Sequence, residues 1–548
     1  MDVRKAIEAI NINIDSIIDP AAKAIIIQLL NIIEYQFQEN KILKEEIQKL
    51  RDENNRLKGE QGKPNINPQT KRSNNISSEK ERQGKSESKK DKKSKNNKKS
   101  IQIDRIIKLE FELSQLPEDA VFKGYQSIVV QDIVIKTDNI QFQKAVYYSI
   151  SLNKTFTSAL PEGYDGEFGP YIKSLIITQH FIYKMTEPAI VQFLQCYGIQ
   201  ISAATVSRII TNNHEQFHSE KKTIVKAGLP SSIYQQMDDT GARINGKNNY
   251  THVLCNEYYT AYFTRANKDR LTILEILAQR ELVFEFNELS YALMIQMELS
   301  YKTLNKLKNL VLEDTLLSRQ EVDALLVKLF EDPSKYNRSK QIILEASAII
   351  AYQSLPGAIK ILLTDNASQF KKITELLALC WIHDGRHYKK LTPVIHINQS
   401  KLDSFLSIYW NYYHKLLEYK QKPTASLAEN LAKEFDIIFS TRTGYEQLDQ
   451  RIERTKLNKD SLLLVLQYPE LPLHNNESEL GARAQARYRD ISFQTKNKKG
   501  TECKDTFMTI AETAKKQGIN SFNYILDRIS KKFKIPSLAS LIEAHNTA

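Results

Sequence analysis

The stretch Ser232–Arg265, SIYQQMDDTGARINGKNNYTHVLCNEYYTAYFTR, decides how the rest of the chain is read. Ile233–Met237 is an extended run that ends on two adjacent acids, Asp238 and Asp239. Asn245 and Gly246 accept positive φ at low cost and supply a tight reversal. Tyr250–Cys255 and Tyr258–Arg265 follow, rich in the Tyr, Thr, Val and Phe that strands favour. The spacing predicts a three-stranded meander with carboxylates at the end of its first strand. Carboxylates fixed on strands suit a hard divalent cation. Alone, an Asp-Asp-Thr after a strand is more often a plain turn. Two further acidic points downstream give it weight.

The first is AIKILLTDN, Ala358–Asn366, whose compact apolar run Ile359–Leu363 suits a buried strand with Asp365 just past its end. The second is the polar loop LPLHNNESELGARAQARYRD, which opens the last large helical segment. Asn475 and Asn476 form its N-cap region, and the third acid is Glu477 or Glu479. Glu479, Arg483 and Arg487 are four residues apart and share a helical face, whereas Glu477 points roughly 200° away. The face with arginines favours Glu479, and Arg483 and Arg487 are placed to meet phosphates. Two strand-borne aspartates and one helix-borne glutamate can hold two Mg²⁺ ions about 4 Å apart. Carboxylates rather than thiolates suit Mg²⁺, with Mn²⁺ able to substitute. The plainer alternative is an exposed Glu479–Arg483 helical ion pair.

The totals narrow the partner. At 548 residues the chain holds several domains, and a 41% hydrophobic share is ample for real cores. A net charge of +12 favours a polyanionic partner, nucleic acid first, although a basic tail also serves solubility. Cys196, Cys255, Cys380 and Cys503 form no CxxC pair, which argues against a zinc ribbon or a disulfide scaffold. No signal-peptide layout and no bilayer-length apolar run are present, so a cytoplasmic protein with no membrane association is expected.

Taken in order, residues 21–57 read as one long helix with heptads. Ile26, Ile33, Asn40, Ile47 and Asn54 share one core position; Leu29, Gln36, Leu43, Leu50 and Leu57 share the other. That pattern favours a parallel two-stranded coiled coil, hence a homodimer or higher assembly, against the alternative of a helix packed on its own globule. Residues 59–100 are Lys-, Asn- and Ser-rich and predict a disordered basic linker. Strand-like runs at Ile128–Ile135 and Ala145–Thr157 define a small β region, 101–170. The helical segment 171–228 contains Glu187–Tyr197, a turn at Gly198 and a helix started by Ser202. This is the layout of a helix-turn-helix, with Ser202, Thr205 and Arg208 as DNA-reading candidates, and equally of any two-helix corner. Helical patterns fill 268–355, with a capping box at Ser318 and Glu321, and two more helices broken near Pro423 occupy 401–470. Cys380-Trp381-Ile382-His383 is expected about one helix after Asp365.

The wording of MDDTGARI, LLTDNASQF, CWIHDGRHYKK and HNNESELGAR resembles the DDE transposases of bacterial insertion sequences, specifically the insertion sequence 66 family. The closing GTECKDTFMTIAETAKKQGINSFNYILDRI is similar to that family's last helices. The resemblance implies an α/β fold: a ribonuclease-H-like catalytic core, 229–267 and 356–400, with helical insertions at 268–355 and 401–470. The core is preceded by a coiled coil in 1–58, the small β region and the helix-turn-helix-like segment. Residues 471–548 supply the third acid and closing helices. The resemblance carries the catalytic and metal-binding roles onto Asp238, Asp365 and Glu479, with His383 and Arg483 in support. It implies an Mg²⁺-dependent, nucleoid-associated bacterial enzyme acting on double-stranded DNA, both element terminal inverted repeats and target. The alternative is a catalytically silent or domesticated DNA-binding regulator. Three departures stand out. The family's cysteine segment after the coiled coil is missing, so no zinc is expected. The interval from Asp238 to Asp365 is long, and Leu480 stands where the family tends to have Arg.

Overall fold

The computed structural model describes residues 17–57, 102–109, 122–330 and 332–546; the expected linker 59–100 lies outside the described residues. Helix α1, Pro20–Leu57, is continuous. Its Ile26, Ile27, Leu30 and Ile33 pack with Ile395 and Ile397 of the same chain. Glu34, 1% exposed, accepts from the backbone N–H of Val394 (2.7 Å) and Ile395 (3.3 Å). The first half of the helix is thus committed to its own globule, on a stripe that a 3.6-residue period defines and the heptads only partly share. Leu29, an expected core position, is exposed. Beyond Gln38 the described side chains are exposed, Ile42, Leu43, Ile47 and Leu50 among them.

Packing divides the chain into two units, the smaller containing Val191–Ser202 and the residues that lead up to Ala159. In the smaller, β1 (Val146–Ser149) and β2 (Lys154–Thr157) form an antiparallel hairpin. Ile128–Ile135 belongs to no strand among the described residues, contrary to expectation; Ile128, Val130, Ile133 and Val134 are exposed. Helices α2 (Pro170–Phe181), α3 (Glu187–Cys196), α4 (Ala203–Thr211) and α5 (Glu215–Gly228) follow. Gly198 turns the chain between α3 and α4 with φ +77.

The expected meander is present: β3 (Tyr234–Ile244), β4 (Lys247–Cys255) and β5 (Thr260–Arg265) pair antiparallel in sequence. Asn245 (φ 46) and Gly246 (φ 78) make the hairpin turn. The region 268–355 contains α6 (Arg270–Ala278), α7 (Glu288–Gln296), α8 (Tyr301–Lys308), α9 (Arg319–Leu329) and α10 (Asn337–Gln353). The Ser318–Glu321 capping box is formed. This region is not purely helical: β6 (Phe284–Phe286) and β7 (Thr315–Leu317) pair within it. Strands of three residues are too short to show alternation in sequence.

Two parallel strands complete the central sheet: β8 (Ile361–Thr364) and β9 (Leu376–Leu379), in the order β5-β4-β3-β8-β9. The helix expected between Asp365 and Cys380 is absent; a 3₁₀ turn at Ser368–Phe370 and β9 take its place. Helix α11 (Trp381–Lys389) follows, then α12 (His396–Gln421), α13 (Ala425–Ile438), α14 (Glu446–Leu457), α15 (Lys459–Leu462), α16 (Asn476–Ser492), α17 (Lys498–Lys516), α18 (Ser521–Ile529) and α19 (Leu538–Asn546). The result is a mixed α/β protein.

Edge strand β5 is closed by side chains. Thr260, Tyr262 and Thr264 donate their N–H groups to Thr513 Oγ1 (3.2 Å), Thr509 Oγ1 (3.1 Å) and Asp505 Oδ2 (2.6 Å). Four residues of helix rise about 6 Å and two of strand about 6.8 Å, so acceptors spaced by four along α17 keep step with alternate strand amides. An open edge is thereby covered.

Candidate active site

Asp238 lies in β3, and Asp365 directly follows the neighbouring strand β8. Tyr234 is paired with Ile361 across the parallel β3–β8 pair, an offset of 127 residues, and the same 127 separates Asp238 from Asp365. The long interval is therefore the register of the sheet with an insertion looped out of it. The strand end expected at Met237 is not there. β3 continues to Ile244 because β4 pairs with it throughout, Asp238 opposite Val253 and Asp239 opposite His252. What ends at this level is β8, after Thr364. The carboxyl ends of β8 and β9 are tied together by Cys380 N–H donating to Thr364 O at 3.0 Å. Open α/β sheets characteristically bind ligands at this end of parallel strands.

Burial pushes the Asp238 carboxyl up to about 7, reinforced by the charges of Asp365, Asp239 and Glu479. Its Oδ1 accepts the N–H of Asp239 at 2.8 Å. Successive strand residues face opposite ways, and Asp239 instead accepts from Gln369 Nε2 at 2.6 Å and lies 3.8 Å from Lys268 Nζ. Asp365 Oδ1 accepts the N–H of Ala367 at 3.1 Å.

Helix α16 brings the third acid. Asn475 holds the N-cap position, but its side chain makes no capping bond, contrary to its expected role. Ser478 Oγ donates to Asn475 O at 2.9 Å, and Ser478 N–H reaches Gln236 Oε1 at 3.5 Å, beside the acids. Gly481 lies so close to the sheet that a Cβ there would meet Val253 Cγ1 at 2.6 Å. Because Val253 pairs with Asp238, this contact sets the height of α16 over the acids.

Glu479 is nearly buried and gripped by cations. Arg386 donates to Oε1 (3.0 Å) and Oε2 (3.2 Å), and Arg483 lies 3.4 Å from Oε2. His383 Nδ1 is 3.3 Å from Oε1, yet misaligned for a hydrogen bond. Burial alone would raise the Glu479 carboxyl; the close His383 ring, with the hydrogen bonds and charge of Arg386, outweighs it and holds the group at about 2. The Cys380 sulfur and the Glu479 carboxylate push the His383 imidazolium up to about 10. Helix α11 is anchored by buried Trp381, whose N–H donates to Leu473 O and whose Nε1 donates to Leu462 O, both at 2.9 Å. Glu477 is committed elsewhere, to Lys516 Nζ at 2.5 Å.

The fold thus gathers Asp238, Asp365, Glu479, His383 and Arg483 into one site. Arg487 is exposed further along α16, in the neighbourhood of Lys184 and Lys515. Thr205 and Arg208 do not join the acids; they line a separate cleft of about 650 Å³. Arg208 there donates to Thr205 Oγ1 at 3.0 Å. Ser202 is exposed in the smaller unit. Arg386, Gly481 and Gln236 went unread in the sequence. Arg386 stands three residues after His383 on α11, a helical spacing that puts both on one side; that was the available signal.

One aspartate within β3 and another just past the carboxyl end of β8, with a helix-borne glutamate held among arginines nearby, define a class of mixed α/β protein with an acidic candidate centre. The model of the transposase IS66 family matches residues 165–287 and 335–503. The chain is also 30% identical over 343 residues to the uncharacterized protein y4jO of Sinorhizobium fredii, covering 59% of this chain and 99% of that relative. The chain belongs to the transposase IS66 family. The matched segments contain all three acids and leave out 288–334, inside the region looped out between β5 and β8. Among the described residues no helix is long and apolar enough to cross a membrane.

Proposed function

We propose that this chain is a DDE transposase that cleaves DNA at the ends of an insertion sequence and joins the 3′-hydroxyls to target DNA. The observation that carries this is the 127-residue offset shared by the β3–β8 register and by Asp238 and Asp365, with the charge of Glu479 on α16 near enough to bear on Asp238. On this assignment the sheet is the ribonuclease-H-like core, with 268–355 and 401–470 as helical insertions. The supporting residues are chemically suited to a hard divalent cation. All three are carboxylates, and Asp238 is crowded by burial and like charge that a cation relieves.

Asp238, Asp365 and Glu479 would hold Mg²⁺, or Mn²⁺ in its place. Such ions, when bound, activate the attacking water or 3′-hydroxyl and stabilise the leaving oxygen. The chain's own part is positioning and charge. Arg483 and Arg487, both exposed, meet phosphates flanking the scissile bond. Arg386 exchanges Glu479 for a DNA phosphate, which frees the carboxylate to turn to the two aspartates. Ser202, Thr205 and Arg208 read element ends as part of a helix-turn-helix-like segment, and the basic linker 59–100 adds salt-sensitive phosphate contacts. The exposed half of α1 pairs two copies. The protein acts in the cytoplasm, on the nucleoid.

Cleavage of a labelled element-end duplex tests the assignment, with folding checked by melting. Asp238→Asn, Asp365→Asn and Glu479→Gln should eliminate Mg²⁺-dependent cleavage while leaving DNA binding nearly intact. Glu477→Gln should keep most activity, since Glu477 serves Lys516. Full activity in the Glu479 variant would overturn the choice of third acid.

A further inference from the structure

Cys380, His383 and Glu479 bring a sulfur, an imidazole nitrogen and a carboxylate oxygen within 4.8 Å of one another. The cysteine is the N-cap of α11, and its Sγ accepts the backbone N–H of His383 at 3.3 Å. Metal binding takes the thiolate form of such a cysteine. His383 Nδ1 is buried without a hydrogen bond, although it lies 3.3 Å from Glu479 Oε1. That separation is close to the spacing between donors in a tetrahedral zinc site, where bonds are about 2.0–2.3 Å. The sulfur and nitrogen set this trio apart from the all-oxygen Asp238–Asp365 pair, which suits Mg²⁺.

We propose that Cys380, His383 and Glu479 form a binding site for a thiophilic divalent cation of the zinc type, and that its occupation withdraws Glu479 from the acidic cluster. The cation takes the place of the Arg386 and Arg483 contacts on the carboxylate. Protons held by the thiol and the imidazole pass to solvent, and water fills the fourth position. This proposal departs from the expectation of no zinc, which rested on the missing cysteine segment and the lack of a CxxC pair. The binding half stands without any catalytic assignment, whereas the withdrawal half rests on the transposase assignment.

Cobalt titration of the purified full-length protein tests the binding half. One equivalent should bind with a sulfur-to-cobalt charge-transfer band. Cys380→Ser should eliminate the band, and Cys196→Ser, which changes an exposed cysteine, should keep it. Should Cys380→Ser melt early, His383→Gln gives a second reading: affinity should fall by more than about tenfold. The Asp238→Asn/Asp365→Asn double variant, blocked in the proposed chemistry, should keep the band. No band in the wild type, an unchanged band in Cys380→Ser, or loss of the band in the double variant overturns the site. For the withdrawal half, zinc at a concentration that fills the site should lower Mg²⁺-dependent cleavage by more than about tenfold. The residual cleavage of Cys380→Ser should be insensitive to it. Unaffected wild-type cleavage at full occupancy overturns the withdrawal. Because the cobalt band needs neither DNA nor cleavage, its failure is separable from failure of the transposase assignment.

Discussion

Arg386 holds Glu479 by both terminal guanidinium nitrogens, at 3.0 and 3.2 Å, reaching from α11 to α16. A two-pronged pair fixes orientation as well as charge, so this arginine decides where the third acid points. It also competes with any cation for the same oxygens. Arg386→Ala should therefore lower the Mg²⁺ concentration needed for half-maximal cleavage while reducing the maximal rate about tenfold or more, through poorer positioning. Arg386→Lys should recover part of the rate. A merely structural arginine would leave the Mg²⁺ midpoint unchanged, and a raised midpoint would count against the competition.

The ladder from Asp505, Thr509 and Thr513 to β5 predicts a stability effect remote from the acids. Thr509→Val keeps the shape but leaves the Tyr262 N–H, at 3.1 Å from its acceptor, without a partner. A buried orphan donor costs about 1–3 kcal/mol. Urea denaturation should show that loss in Thr509→Val and substantial recovery in Thr509→Ser. Equal midpoints for Val and wild type would mean that water or another group serves the amide.

That ladder also marks where the sequence stopped being legible. The meander, its Asn245-Gly246 turn and β8 announce themselves through local residue types, and all are present. The neighbouring placement of Asp238 and Asp365 could not be read, because it depends on the parallel register of strands separated by a long insertion. β9 was missed because Leu376–Leu379 is a short apolar run, which periodicity cannot separate from helix. The first half of α1 misled for a related reason. Isoleucines and leucines at heptad spacing state that a helix face is apolar, but not whether the partner is a second copy or, as for Leu30 and Glu34, residues near Ile395. Helical spacing already separates Glu479, on the face with Arg483 and Arg487, from Glu477; that Lys516 takes Glu477 and Arg386 takes Glu479 is a tertiary fact.

Two buried histidines give stability a pH dependence. His180 is pushed down to about 4 by burial, against a backbone hydrogen bond that raises it. Its Nδ1 must donate to Met185 O (3.0 Å), so Nε2 accepts from the Tyr488 hydroxyl (2.9 Å). His214 is likewise pushed down to about 4 by burial; its Nε2 donates to Ile209 O at 2.9 Å, and its ring meets Phe507 edge-on. Unfolded, both titrate near 6.5. The folded chain then holds fewer protons between pH 6.5 and 4, and stability falls as pH falls through that window. Each histidine contributes on the order of 2–3 kcal/mol to the loss. Denaturation midpoints at pH 7.5 and 4.5 should diverge in the wild type, and His214→Gln, which retains a donor, should close about half of that gap while His180 keeps the rest.

The exposed half of α1 predicts how two copies meet. Leu43, Ile47 and Leu50 are each about half exposed and continue the heptad beyond the part packed on its own chain. Replacing Ile47 and Leu50 by Asp should turn a sedimenting dimer into a monomer without changing the melting of the core. Persistence of the dimer would move the contact away from this helix.

Gly481 sets two effects of opposite sign against each other. Alanine is the better helix former by roughly 1 kcal/mol, so Gly481→Ala would stabilise an isolated α16. In the folded protein the added Cβ would meet Val253 Cγ1 at 2.6 Å, and Val253 is paired on both sides, with Asp238 of β3 and Tyr262 of β5, so it cannot readily retreat. Overpacking at a rigid contact costs about 1–3 kcal/mol, so the clash should win and the variant should be less stable. The helix must lift, and Glu479, two residues earlier, lifts with it. If Glu479 is the third acid as proposed, a shift of about 1 Å costs on the order of a hundredfold in rate, so activity should fall further than stability does. Val253→Ala removes the methyl groups that the new Cβ meets. The Gly481→Ala/Val253→Ala double variant should regain cleavage relative to Gly481→Ala, with a coupling of about 1 kcal/mol or more in stability. Additive losses in the double variant would show that α16 is not held at its height by this contact.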